Sequence, residues 1–344
     1  MRFAFLLGSL TILVSASLSA PTTLFPPELT SLFTDEVNAQ IEDKLRTLGD
    51  DLRDLDLLLD PLDSFHRELQ ERPCNASFTM TTADEIRNMI GLFLQAFLPS
   101  GTLGTAESTL LSVVKYDLQV SKVCLSCQDV GQAEINQFQT VSSNSKYAFP
   151  AYCTSGFYGY DATQSALVFA PIDNTTGQVF SGKLRGFVHA RGAQVNINAG
   201  PSDRWPLSVS AVLGSSNVTF QNKVLLFRDF LASSVAATAG AISILPDFIG
   251  FGASKSFSRP FLAPLPYEQA FAMSWLATQK FIESSSRGCT NLDNVATVSG
   301  YSEGGYAAVV GALALQQLGV RILSLHPGGG PYNVDIEVGF GLCK

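Results

Sequence analysis

Gly300-Tyr301-Ser302-Glu303-Gly304-Gly305 sets a serine between glycines at Gly-x-Ser-x-Gly spacing. The apolar run Val295 to Ser299 precedes it, and an Ala- and Gly-rich stretch of helical character follows. Strand, tight turn and helix form the setting in which this spacing carries nucleophilic chemistry. The turn must be sharp enough to lift the Ser302 hydroxyl above the sheet edge. Gly300 and Gly304 leave room for it, because a side chain at either would strike neighbouring backbone. A serine so placed can attack a carbonyl carbon, and the backbone N–H of Glu303 at the helix start can donate to the resulting oxyanion. The positive end of the helix adds to that stabilisation. A Gly-rich turn with Ser302 as a plain capping residue would explain the spacing alone, but not the flanking elements.

Other chemistry is thinly represented. The histidines are His66, His189 and His326, and no His, Cys, Asp or Glu cluster has metal-ligand spacing, so no metal and no cofactor is expected. Gly328 to Gly330 lacks the Lys-Ser/Thr that follows a phosphate loop, and no dinucleotide fingerprint occurs elsewhere. Cys124-Leu125-Ser126-Cys127 has the spacing of a redox pair or half a zinc site. Without a second such pair or a nearby histidine, it reads as structural bridging.

The hexapeptide Gly300 to Gly305 resembles the nucleophile elbow of secreted lipases and esterases of the α/β-hydrolase superfamily, in particular the secretory lipase family. Three further stretches carry the resemblance. They are Leu245-Pro246-Asp247-Phe248-Ile249-Gly250-Phe251-Gly252, Pro266-Tyr267-Glu268-Gln269-Ala270, and Ser324 to Pro331 with its glycine run. The resemblance covers roughly Ser165 to Asp335. The resemblance implies carboxylic-ester hydrolysis through an acyl-Ser302, with an ester or lipid as substrate. It also implies a second oxyanion-hole donor after the strand ending in Val188-His189-Ala190-Arg191-Gly192, where related hydrolases often carry His-Gly. Here Ala190 or Arg191 would donate the amide. The superfamily places its acid and histidine after the nucleophile. Only Glu303 to Lys344 follow Ser302, and the one downstream histidine, His326, ends the very next strand. The expectation is therefore a chain truncated after the strand following the elbow. His326 or His189, on either side of the elbow strand, is then an improvised alternative base or a residue that satisfies loop backbone, with Asp247 one strand further out as a brace. The competing expectation is a catalytically silent hydrolase-fold fragment or binding protein.

The elements that must position these groups read as an α/β fold: a mostly parallel sheet covered by helices on both faces. Strands are expected at 110–123, 165–171, 184–190, 241–246, 295–299 and 320–325, the second and third adjacent through a turn at Asn174. Helices are expected at 84–98, with Thr81 to Asp84 as capping residues, and at 224–238, 267–283 and 304–318. Upstream, Ile41, Leu45, Leu48, Leu52, Leu55, Leu59 and Leu62 recur at steps of three and four, interrupted by Gly49 and Pro61. They mark an amphipathic helix that lies on the main domain, pairs with the next helix, or pairs with another copy across residues 41–62. The division expected is a signal peptide over 1–20, a helical N-terminal region with one or more strands over 21–127, a loop over 128–146 and a partial hydrolase domain over 147–344.

Composition sets the compartment. Arg2, the apolar run Phe3 to Val14 and the small residues Ser15 to Ala20 make a secretory signal, cut after Ala20 or near Ala16. No second long apolar segment calls for stable membrane insertion. Six cysteines and the sequons at Asn75, Asn174 and Asn217 agree with secretion, disulfides and glycosylation. A net charge of −8 gives no footprint for a nucleic acid.

Overall fold

The computed structural model describes residues 73–97, 111–130, 162–194 and 200–332. The expected signal sequence, the helix expected over 41–62, most of the loop expected over 128–146, Cys153 and Cys343 lie outside them.

The strands are β1 (Ala76–Thr81), β2 (Asp117–Leu125), β3 (Gln164–Asp173), β4 (Gln178–Val179), β5 (Gly182–Ala190), β6 (Ile242–Pro246), β7 (Thr290–Tyr301) and β8 (Arg321–Gly328). Helices α1 (Ala83–Phe97), α2 (Pro201–Arg204), α3 (Val209–Gly214), α4 (Phe220–Arg228), α5 (Leu231–Thr238), α6 (Pro264–Ser285) and α7 (Glu303–Gln317) lie between them. The eight strands form one sheet in the order β1-β2-β3-β6-β5-β7-β8, with β4 added to β3. β6, β5, β7 and β8 run parallel, whereas β3 lies antiparallel to β6 and the first three strands alternate. This is the α/β-hydrolase arrangement, with an antiparallel flank on a parallel core.

Each face has its own core. Val168, Val188, Ile244, Val298 and their neighbours point at α6 and α7. Leu118, Val120, Leu167, Phe169 and Leu245 point at α1, α4 and α5. β6, Ile-Ser-Ile-Leu-Pro, is buried along its whole length, as expected for a strand covered on both sides. α7 carries Gly304, Gly305, Ala307, Ala308, Gly311 and Ala312 along its buried positions, so its backbone lies close to the sheet and to α6. Pro264 opens α6 at a position whose N–H has no intrahelical partner. At α1, Glu85 Oε2 accepts from Thr82 N (2.8 Å) while Thr82 Oγ1 accepts from Glu85 N (3.2 Å), a reciprocal cap at the expected helix start.

Several elements differ from expectation. Strands β3 and β5 are not neighbours: β6 lies between them, and the Asn174 turn leads instead into the two-residue β4. Pairing in the sheet is decided by non-local packing that a local turn signal does not carry. The first long strand begins at Asp117 rather than near 110, after a turn in which Val114 N donates to Leu111 O (3.3 Å). The helix expected over 224–238 is two helices, interrupted at Asp229 and Phe230. Asp229 accepts from Arg204 Nη1 and Arg228 Nε, each at 3.1 Å, and Phe230 meets the ring of Trp205 at 5.1 Å. The sheet also runs across the expected 128–146 division, since β2 pairs with β3 from Asp117 to Leu125.

Cys74 and Cys124 form a disulfide that ties β1 to β2, and Cys127 is also disulfide-bonded, so Cys124 and Cys127 do not pair with each other. Cys289 is exposed and free, unlike the full pairing an even count suggests.

Candidate active site at the β7–α7 turn

Strand β7 ends at Tyr301, α7 begins at Glu303, and Ser302 makes the whole connection. Its backbone sits at φ 56°, ψ −125°, in a region that non-glycine residues avoid. Such strain persists only where the surroundings over-determine it. Ser302 N donates to Gly328 O at the end of β8 (2.8 Å), and Ser302 O accepts from Gly305 N (2.9 Å) and Tyr306 N (3.3 Å). Gly300 and Gly304 provide the predicted room. A β-carbon on Gly300 would lie 2.0 Å from Gly304 O, and one on Gly304 would lie 2.1 Å from Ala190 O and 2.4 Å from Arg191 O. The turn is therefore pressed directly on the end of β5.

The expected site residues fall around this turn. Ser302 is half-buried, at the carboxyl end of the parallel strands. Glu303 N–H belongs to the first turn of α7, where amides lack intrahelical acceptors. Ala190 is the fully buried last residue of β5, paired in register with Gly300, and the Arg191 to Gln194 loop continues past it. β5 and β8 flank β7, so His189 and His326 do lie on either side of the elbow strand, both in register with Ser299. Neither imidazole bonds the Ser302 hydroxyl. His189 Nδ1 instead meets Ser299 Oγ at 2.8 Å, and burial pushes its pKa down to about 4, against the pull of Asp229. His326 Nε2 is buried without a partner, and burial lowers its pKa as well.

Asp247 braces the loops, as its position one strand beyond β5 suggested. Its carboxylate accepts from Ser165 Oγ (2.5 Å), Ser202 Oγ (2.5 Å) and Ser202 N (3.0 Å). It thereby joins β3, β6 and α2. The three-glycine run is structural too: Gly328 O holds Ser302 N, and Gly330 packs on Tyr306 N.

Side chains that sequence reasoning did not single out surround Glu303. Its carboxylate is buried and accepts from Tyr267 Oη (2.5 Å) and from Arg259 Nη2. Arg259 Nη1 donates to Gln194 O, and Tyr267 Oη accepts from Leu262 N (3.0 Å). Burial and the adjoining Glu303 carboxylate raise the Tyr267 pKa far above the ordinary phenol range, so the phenol stays a donor. Gln194 is held on its other side too, its Nε2 donating to Asp229 Oδ2 (3.4 Å). Burial opposes the charge of Asp229, yet Arg228, Arg204 and Arg191 together hold its pKa below the usual carboxylate value. Arg191, 1% exposed, lies over the Phe251 ring at 4.2 Å, and burial lowers its pKa to about 10. Among the described residues, no group of three or more His, Cys, Asp or Glu could hold a metal ion. No helix among them is long and apolar enough to cross a membrane.

No family model and no curated protein matches the chain. Solved structures do. A ligand-bound form of the rice cell wall degrading esterase LipA from Xanthomonas oryzae aligns at 15% identity and TM-score 0.43, over 72% of this chain and 47% of that one. Brefeldin A esterase, a bacterial homologue of human hormone sensitive lipase, aligns at 18% identity and TM-score 0.27, over 57% and 48%. Lipase A of Candida antarctica in its closed state aligns at 13% identity and TM-score 0.27, over 47% and 32%. The chain thus spans less than half the length of each of these structures.

Proposed function

We propose that this chain carries the nucleophile of a secreted serine hydrolase of carboxylic esters, of the lipase and esterase kind, working through an acyl-Ser302. The observation that carries the reading is the strained Ser302 backbone on a one-residue turn between β7 and α7. The turn is pinned by Gly328 O and by two glycines that admit no β-carbon. In this reading Ser302 Oγ attacks the ester carbonyl carbon as a base takes its proton. Glu303 N–H and an amide of the Ala190–Arg191 segment hold the oxyanion. The carbon–oxygen bond to the alcohol then breaks, the alcohol leaves with the proton, and water releases the acid from the acyl-serine. The resemblance assigns the base and its acid to strands beyond Gly328. His326 is the alternative within the described residues. Secretion is supported by the Cys74–Cys124 disulfide and by the exposure of all three sequon asparagines, Asn75, Asn174 and Asn217. Pairing of two copies through residues 41–62 belongs to the same proposal.

One observation favours a second reading. Among the described residues no histidine bonds Ser302, which fits a silent hydrolase scaffold that binds rather than cleaves. Hydrolysis of p-nitrophenyl esters of graded acyl length by the secreted full chain and its Ser302→Ala variant separates the two. Turnover lost in the variant supports the enzyme. Equal background rates from both proteins reject it.

A further inference from the structure

The acid beside the nucleophile is a liability unless something cancels it. Glu303 follows Ser302 directly and is the residue whose N–H would face the oxyanion. A bare carboxylate there would oppose negative charge developing on the substrate oxygen, and it would do so in a poorly solvated place. The side chain does not reach solvent: Glu303 is 2% exposed. It turns away into a pocket made by Arg259 and Tyr267, whose donors occupy both of its oxygens. Both donors come from the segment that follows β6. Arg259 lies in the loop and Tyr267 in the first turns of α6, and Leu262 N ties the two together through the phenol oxygen.

The same guanidinium makes a second contact. While Nη2 holds Glu303, Nη1 holds the carbonyl of Gln194. Gln194 follows Ala190 and Arg191 on the chain leaving β5, the stretch expected to supply the other oxyanion donor. A planar fork with donors on both nitrogens can span two acceptors in a fixed geometry, which a lysine ammonium on its flexible stem does not reproduce. Arg259 is itself held in place. Phe251 and Phe261 lie under its guanidinium at 5.1 and 5.0 Å, and its backbone abuts Gly250, where a β-carbon would meet Arg259 Cα at 3.0 Å.

We infer that Arg259 is a positioning residue. It joins the two halves of the oxyanion hole, α7 through Glu303 and the β5 exit loop through Gln194, while cancelling the Glu303 charge next to the reacting centre. Tyr267 completes the neutral setting. The inference rests on the proposed ester hydrolysis for its kinetic consequence, but the joining of the two segments is a physical contact independent of turnover.

The test uses the secreted full chain with Arg259→Met, Glu303→Gln and the double variant, read by p-nitrophenyl butyrate kinetics and by amide hydrogen exchange. Arg259→Met leaves Glu303 charged and unpaired, so kcat is expected to fall by about 10²-fold, the scale of losing one oxyanion donor, with KM within about twofold. Removing the stranded charge as well should restore at least about fivefold over Arg259→Met. A merely structural residue would make the double variant equal to or slower than the single one. Exchange at amides 190–194 and 302–306 should quicken in Arg259→Met. Where that variant does not fold, Arg259→Lys keeps the charge, loses the fork, and should quicken exchange at 190–194 alone. A double variant no faster than Arg259→Met, or unchanged exchange in both segments, overturns the inference. A wild-type chain without turnover but with the exchange response would reject the enzymatic reading and leave the clamp standing.

Discussion

Replacing Gly304 by alanine adds one carbon at the most crowded point of the turn. That carbon would lie 2.1 Å from Ala190 O, 2.4 Å from Arg191 O and 2.6 Å from Ala190 C. All three are backbone atoms of β5 and its exit, so no side chain can swing aside. Reaching an ordinary contact requires the start of α7 and the end of β5 to part by about 1 Å. Overpacking of this kind costs roughly 1–3 kcal/mol of stability. The separation falls between the two segments expected to donate to the oxyanion, and a 1 Å misplacement of such groups costs about 10²-fold in rate. The control is Gly214→Ala, at the end of α3, where nothing lies within 4 Å and the added methyl should be neutral or mildly stabilising. Urea unfolding of the purified variants gives the first quantity, and the rate of fluorophosphonate labelling gives the second. Wild-type stability and labelling rate in Gly304→Ala would mean that the turn is not seated on β5.

Three other perturbations follow from the packing. Asp247→Asn puts an amide before the three donors from Ser165 and Ser202, and should lower unfolding stability by about 2–4 kcal/mol; an unchanged urea midpoint would contradict the bracing role. His189 is held neutral with its pKa near 4, so the unfolded chain takes up a proton below about 6.5 while the folded one does not. Its contribution should therefore erode stability by roughly 3 kcal/mol as pH falls from about 6.5 to 4, and the difference between wild type and His189→Asn should track that window. Parallel pH curves would reject it. Removing the Cys74–Cys124 bridge with a double alanine variant should cost about 4 kcal/mol in the chain-entropy account for a separation of 50 residues, read from thermal or urea midpoints.

The nucleophile turn was legible because its signal is local. Glycines two residues either side of Ser302, an apolar strand before and a small-residue helix after all lie within about 20 positions. The strand and helix that follow were legible for the same reason. What surrounds Glu303 was not, since Tyr267 lies 36 positions away and Arg259 44, and no spacing rule links a charged residue to partners at such range. The motif around Glu303 marks only its amide, and the burial of its carboxylate is a product of the fold. The order of β3, β6 and β5 was hidden likewise, because the Asn174 turn signals a hairpin without saying which strand closes it. The broken 220–238 helix fails in a third way. Leu, Val and Ala continue through it, but Asp229 is drawn to Arg204, a contact outside the helix itself.

A reactive nucleophile at Ser302 should take a covalent label. The secreted full chain is treated with a fluorophosphonate and digested, and the modified peptide is located by mass spectrometry, with Ser302→Ala alongside. A single adduct on Ser302, absent from the variant, is expected. A folded chain that takes no label, or takes it equally in Ser302→Ala, would contradict it.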